Sequence, residues 1–391
     1  MAMTNQIIGI PKRIKYNSFS LVLIFFLYSL TTLPGMFYNQ GLLTALLAVV
    51  LVFPAILINI VQKSISFDTF KALFVEFFIL IVLLIEKEVF YNYAGAINET
   101  ILYLLSIGTI GLMVGSFEYD ENCCYRYGRI LAYICFVTSV MALIYKQGSF
   151  LYSMRFGYAL LPSALWFLYE YIKKKYIVDL VFFGVSMVLL LAWGSRGTIL
   201  VILLFGILYM LKVQRRWLLF FLLTGAVLLP FLRDFLFLVL RLIAQYTGAK
   251  KIQGFISLFE EDGWSHSSGR DLLYEHCIDI IENNFGGAGV GFWQYDPIMN
   301  GLYPHNLFLH VGTEFGIIGI VLVVVILMIA IKKLFYQSSD VFLFYNYIFS
   351  IAIGRLMVSS MYWARPEFWV IIGLFICNSK LGIRKSHILK K

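Results

Sequence analysis

The chain has 391 residues, of which 61% are hydrophobic, 17% aromatic and only 14% charged. A water-soluble domain of this size does not bury that much apolar surface, so a soluble fold is excluded. The net charge of +9 collects in alternate connections between apolar runs, so it needs no nucleic-acid surface to account for it, and no nucleic-acid partner is expected.

The apolar residues come in nearly uncharged blocks of about 17 to 25, the length a helix needs to cross a bilayer. The stretch from Met1 to Asn17 is polar and basic and has no small-residue cleavage site after it, so the first block reads as a retained span and not as a signal peptide. Spans are predicted at 18–38, 41–61, 70–86, 97–117, 128–145, 155–172, 176–194, 197–213 and 216–232. After a long connection come 306–331, 340–360 and 366–380. One set of alternate connections carries Lys12, Arg13 and Lys15; Lys63 and Lys71; Arg126 and Arg129; Lys173 to Lys175; Lys212, Arg215 and Arg216; Lys332 and Lys333; and the basic C-terminus. The short connections of the other set hold little beyond Lys87 and Lys146. Positive charge stays inside, so both termini are expected in the cytoplasm.

The fold class expected is therefore all-α, a polytopic integral membrane protein with about twelve transmembrane helices. Helices one to nine fill residues 1–232, an extracytoplasmic loop with amphipathic helices fills 233–304, and helices ten to twelve with a basic tail fill 305–391. Cys123 and Cys124 fall in a cytoplasmic connection, Cys135 and Cys377 in spans, and Cys277 outside, so neither a disulfide nor a metal site is expected.

The long connection runs roughly seventy residues, and connections of that length usually have a role. Its start, "RDFLFLVLRLIAQY", places Arg233, Asp234, Arg241 and Gln245 within about 120° of a helical wheel, the pattern of a helix lying in the membrane interface. In "SHSSGRDLLYEHCIDIIENNFGG", Ser268 and Asp271 form a capping box and Gly286–Gly287 a stop. Asp271, Glu275, Asp279 and Glu282 face away from Leu273, Cys277 and Ile280. Arg270 then sits in the first helical turn, where free N–H groups favour anions; the alternative is pairing with Glu275 or a lipid headgroup. "GGAGVGFW", 286–293, lacks the strand–turn–helix setting of a nucleotide loop and reads as a flexible, tight-turning connection.

Further arginines recur near the outer surface: Arg155, Arg196 in "GSRGT" behind a capping Ser195, Arg355 and Arg365. Singly each fits a snorkelling anchor; together, at one depth and against the charge trend, they fit a polyanion in the outer leaflet such as a lipid diphosphate.

The tenth span opens with "YPHNLFLHVGTEFGIIG". With Pro304 starting the helix, His305, Leu309, Gly312, Gly316 and Gly319 fall within about 80° of each other, a small-residue stripe for close helix packing. Asn306, His310, Thr313 and Glu314 form a second face, with His310 and Glu314 a candidate pair that is either supporting or purely structural. His305 at the outer mouth, beside a positive helix end that favours the neutral ring, suits a general base; the alternative is a capping histidine.

His305 and Asn306, then nine residues, Gly316, two residues and Gly319, resemble the signature of the O-antigen ligase and Wzy-type polysaccharide polymerase superfamily. Twelve spans, inside termini, the large loop before span ten, and the arginines of "SRG" and "SGR" add to the likeness. The resemblance implies a GT-C-like glycosyltransferase of the bacterial inner (plasma) membrane, working without metal or cofactor on a polyprenyl-diphosphate-linked oligosaccharide. It passes the catalytic roles to His305, Arg196 and Arg270; Arg155, Arg355, Arg365 and Asn306 are expected at the diphosphate from the residue pattern alone. Polymerase action, joining one lipid-linked repeat to another, is preferred over transfer to a lipid core or protein because no acceptor-recognition domain is visible. A flippase or secondary carrier is the reading from another class, disfavoured because the polar groups crowd toward one face and no internal repeat is evident. Membrane lipids, a chain-length regulator and a flippase are the expected partners.

Overall fold

The computed structural model of the chain describes residues 10–62, 64–145, 154–192, 195–216 and 270–377, with positions 238, 241, 242, 245, 383 and 384 besides. The described chain is almost entirely helical. In order come α1 (Lys12–Thr32), α2 (Gln40–Leu47) and α3 (Phe53–Val61) joined by a π-turn, α4 (Phe67–Val89), α5 (Ala94–Tyr103) and α6 (Thr109–Ser116) joined by a second π-turn, and α7 (Glu121–Tyr145). Then follow α8 (Met154–Lys174), α9 (Ile177–Ala192), α10 (Arg196–Val213), α11 (Arg270–Asn283), α12 (Leu307–Phe335), α13 (Ser339–Leu356) and α14 (Pro366–Ile371), the last running on as a π-helical turn to Cys377. The expected span 216–232, apart from its first residue, lies outside the described residues, as does almost all of the expected interfacial helix after Arg233.

Lys12–Thr32, Leu42–Val61, Ala94–Ser116 and Leu307–Phe335 are long and apolar enough to cross a membrane. Helix α4 leaves Phe70, Phe74, Phe77, Phe78 and Leu84 exposed, a face that water would not tolerate and lipid does. The chain is a multi-pass membrane protein.

The described residues fall into two compact units, one from 1–27, 41–131 and 271–391, the other from 28–40 and 132–270. In the first unit α1 begins at Lys12, six residues ahead of the expected edge at 18, because its polar residues are satisfied internally. Asn17 donates to Glu118 O at 3.1 Å and accepts from Asn59 at 2.7 Å; the Ser18 hydroxyl donates to Ile14 O at 2.8 Å and accepts from the Asp120 N–H at 3.0 Å. Gly111 and Gly115 on α6 leave room for α14 to approach closely: a Cβ would lie 2.5 Å from Trp369 Cβ at the first and 2.5 Å from Val370 O at the second.

Connections of this unit gather at two ends. At one, β1 (Tyr119–Asp120) pairs in parallel with β2 (Ile383–Arg384), and Arg13 reaches Ser64 O and the Glu118 carboxylate. At the other, Tyr93 after α4 stacks on Tyr295, and the Tyr303 hydroxyl donates to Ser359 O at 2.9 Å. That alternation is what an up-and-down membrane bundle demands, and the grouping agrees with the two loop sets separated by charge. In the second unit α8 packs on α9 and α10, with Tyr133, Phe136, Phe167 and Phe182 in edge-to-face and stacked contacts.

Candidate functional site

Helix α11 forms as its amphipathic pattern dictates. Asp271, Glu275, Asp279 and Glu282 are exposed, while Leu273 and Cys277 are buried with Phe292 and Met299 against Trp293 and Leu309. Arg270 is its first residue and half-buried; the expected cap, Ser268, lies outside the described residues. An interaction not expected from sequence holds the next turn: His276 Nε2 stands 3.0 and 3.1 Å from the two carboxylate oxygens of Asp296. Asp296 also accepts the backbone N–H groups of Ile298 (2.9 Å) and Met299 (2.8 Å). Burial raises the Asp296 carboxyl, but the Met299 N–H and His276 outweigh it and hold it below its usual value.

Residues 286–293 were expected to be a flexible, tight-turning connection; the turns are present, but 285–291 form a docked strap. Gly287, Gly289 and Gly291 all have positive φ (85°, 95° and 76°), and at Gly287 a Cβ would lie 2.3 Å from Glu314 O. The strap lies in a break in α12. Gly316 has φ 64° and ψ −156°, a conformation open essentially only to glycine, so the helix stops there and restarts at Ile317. The strap satisfies the groups the break frees: Ala288 N–H donates to Thr313 O (2.7 Å), Gly289 N–H to Glu314 O (3.1 Å), and Ile317 N–H to Phe285 O (3.3 Å). The continuous helix over 305–319 is thus corrected. Its glycine stripe receives Ile281 of α11 at Gly312 and the 285–287 backbone at Gly316, not a neighbouring spanning helix.

The helix start is corrected as well. Pro304 does not begin α12; Asn306 does, as an extended N-cap whose side-chain oxygen accepts from Phe308 N (2.9 Å) and Leu309 N (3.3 Å). His305 therefore precedes the helix and leaves the expected stripe, while keeping its place beside the positive helix end. It is half-buried, its ring 4.5 Å from that of Tyr303, which in turn lies 5.9 Å from Trp293 and 6.0 Å from His310.

The second face fares better. His310, Thr313 and Glu314 are all buried, and His310 Nε2 lies 3.2 Å from a Glu314 oxygen, though off the line of a hydrogen bond. Glu314 also accepts from the Gly291 N–H (3.2 Å), Trp363 Nε1 (3.0 Å) and the Tyr362 hydroxyl. Burial and the adjacent Glu314 push the Tyr362 phenol well above its usual value, so it remains a donor. Glu314 thereby ties strap, α12 and the 357–365 connection together.

The remaining arginines separate. Arg355 is buried and ion-paired to Glu367 at 3.0 Å, so its charge is met inside the protein and not, as expected, by an outside diphosphate. Arg365 occupies the N-cap position of α14. Arg155 is exposed and donates to Gly35 O at 2.9 Å. Arg196 opens α10, but the Ser195 hydroxyl makes no capping bond; Ser195 is buried, and Gly157 of α8 leaves room for it, since a Cβ there would lie 2.3 Å from its hydroxyl oxygen. His305, Asn306, His310, Glu314, Arg355 and Arg365 belong to the first unit; Arg155, Arg196 and Arg270 belong to the second.

The O-antigen ligase family model matches residues 180–324. That stretch contains Arg196, Arg270, His305, Asn306, His310, the strap and Glu314, and leaves out Arg155, Arg355 and Arg365. No curated protein and no solved structure matches the chain. The chain is a multi-pass membrane protein whose residues 180–324 are similar to the O-antigen ligase family.

Proposed function

We propose that the chain is a polysaccharide polymerase that transfers a glycan from polyprenyl diphosphate to a sugar hydroxyl of a second lipid-linked repeat unit. It would cross the bacterial inner membrane twelve times with both termini in the cytoplasm, so that the end carrying Tyr303 and His305 faces outward. The observation that carries the reading is that one family match encloses His305, Arg196 and Arg270 together.

In the proposed step the acceptor hydroxyl oxygen attacks the anomeric carbon. The new glycosidic C–O bond forms as the bond from that carbon to the diphosphate oxygen breaks, with inversion. The neutral His305 imidazole takes the hydroxyl proton, help of a kind worth about 10²–10⁴-fold. Arg196 and Arg270 meet the charge growing on the leaving diphosphate, whose oxygens suit guanidinium forks. Arg155 and Arg365 are assigned to the resting diphosphate; Arg355, already neutralised by Glu367, is left out. Asn306 acts by fixing the start of α12 directly after His305. His310 and Glu314 serve as the buried support behind it. No metal or cofactor enters this step.

A second reading, transfer to a lipid core or protein acceptor, is favoured by the matched family's description as O-antigen ligase. Purified protein given lipid-linked repeats alone separates the two. A polymerase lengthens them and frees polyprenyl diphosphate; a ligase leaves them unextended until its own acceptor is added. A carrier makes no glycosidic bond in either mixture.

A further inference from the structure

The short turn Phe292–Gln294 and the Tyr295 that caps its end present two aromatic residues, Trp293 and Tyr295, to different neighbours. Trp293 meets the ring of Tyr303, which touches that of His305. Tyr295, two residues on, takes part in a separate ladder: it stacks on Tyr93 (centroids 5.4 Å, 25°), which stacks on Phe90 (6.3 Å, 11°). Tyr295 remains 50% exposed although one face is covered, which leaves an open aromatic face. Its hydroxyl lies over Gly95, where a Cβ would come within 2.9 Å.

Polar groups flank the ladder. The exposed Glu99 carboxylate is held by two donors, Tyr103 (2.8 Å) and Gln294 Nε2 (3.3 Å), and Asn92 and Asn98 are exposed nearby in the same connection and helix. An open aromatic face beside a fixed carboxylate and a side-chain amide is suited to a pyranose. The apolar C–H face of a sugar ring lies on the aromatic ring, while the hydroxyls engage groups that accept and donate together. A bare membrane anchor needs the ring but has no use for the ordered Glu99–Gln294 pair.

We propose that Tyr295, with Gln294 and Glu99, is a saccharide-binding platform that holds a sugar of the glycan other than the one reacting at His305. This rests on the glycan-transfer reading and adds to it a subsite for the carbohydrate itself.

The test uses the full-length protein in nanodiscs and, as probe, the oligosaccharide released by mild acid from the host cell's own surface polysaccharide. Binding is read by saturation transfer to the sugar C–H protons, so it does not depend on turnover. The platform predicts binding by the unaltered protein and by His305→Ala, binding retained in Tyr295→Phe, and at least about tenfold weaker binding in Tyr295→Ala and Tyr295→Leu, near 1.4 kcal/mol. Glu99→Gln should weaken binding in the same direction. Equal binding by Tyr295→Leu, or no binding by the unaltered protein, overturns the platform. If the platform is wrong while glycan transfer is right, Tyr295→Leu leaves both binding and lengthening of lipid-linked repeats unchanged. If glycan transfer is wrong, no repeat is lengthened whatever the binding shows.

Discussion

Replacing Gly316 with alanine probes the break in α12 directly. At φ 64° and ψ −156° a residue with a Cβ is strained by about 1–3 kcal/mol. The strain cannot be relieved locally, because the new Cβ would lie 1.9 Å from Phe285 O, a backbone atom of the strap. Either the strap leaves or the helix straightens. In both cases the bonds Ala288–Thr313, Gly289–Glu314 and Ile317–Phe285 are lost, each worth about 0.5–1.5 kcal/mol. The three bonds come to about 1.5–4.5 kcal/mol, to which the strain adds only where the helix keeps its break, against a stability of about 5–15 kcal/mol for a typical domain. Hydrogen exchange of the amides of Ala288, Gly289 and Ile317 in nanodiscs is the assay, and their opening should become at least about tenfold easier. Gly206→Ala on α10 is the control: nothing lies within 4 Å of its added Cβ, so exchange and stability should hold or improve slightly. Unchanged exchange across 285–291 in Gly316→Ala would refute the claim that the strap and the break depend on each other.

Replacing three carboxylates, Glu314, Glu367 and Asp296, has calculable outcomes. Glu314→Gln places an amide NH₂ among the donors of Gly291, Tyr362 and Trp363 and strands at least one of them, a cost of about 1–3 kcal/mol that a thermal melt in detergent should register as a lower Tm; an unchanged Tm contradicts the hub. Glu367→Gln leaves Arg355 buried without its counter-charge and should destabilise by about 3–5 kcal/mol, whereas Arg355→Met with Glu367→Leu should recover most of that loss. Equal melting of the single and double variants would show that the pair does not matter. Asp296 titrates below its usual value of 3.8, so its stabilisation of the 292–299 turn is complete above that pH and disappears as pH falls through the lowered value. The difference in melting between the unaltered protein and Asp296→Asn should be present at pH 7 and shrink toward pH 3; a difference that does not vary with pH contradicts the pairing.

Much of the helical layout is readable because lipid imposes one rule, a long apolar run, on every span; 41–61, 97–117 and 197–213 come out within a few residues of the helices present. The first helix begins early because Asn17, read as the end of the polar tail, finds partners at Asn59 and Glu118, far along the chain, as the adjoining Ser18 does at Asp120. The break at Gly316 is hidden for a related reason. Glycines three and four apart are what a straight packed helix also shows, and only the distant run Gly287, Gly289, Gly291, with its own positive φ angles, reveals that a strap occupies the gap. Asn306 as the N-cap was within reach, since Asn leads the capping residues while Pro304 offers only a favourable φ. The Arg355–Glu367 and His276–Asp296 pairs were not, because separations of 12 and 20 residues follow no helical period. The acidic face of α11 and the His310–Glu314 pair were legible, being set by the 3.6-residue repeat alone.

The most direct measurement is glycan transfer by purified protein carrying His305→Ala. Unaltered protein and variant, matched for fold by thermal melt, receive the same polyprenyl-diphosphate-linked oligosaccharide, and longer glycan and freed polyprenyl diphosphate are counted. With His305 as the base, the unaltered protein frees one polyprenyl diphosphate for each new glycosidic bond, and the variant forms both about 10²–10⁴-fold more slowly. Equal chain growth by the His305→Ala protein would remove the imidazole from the reaction, and no bond formation by the unaltered protein would end the glycosyltransferase assignment.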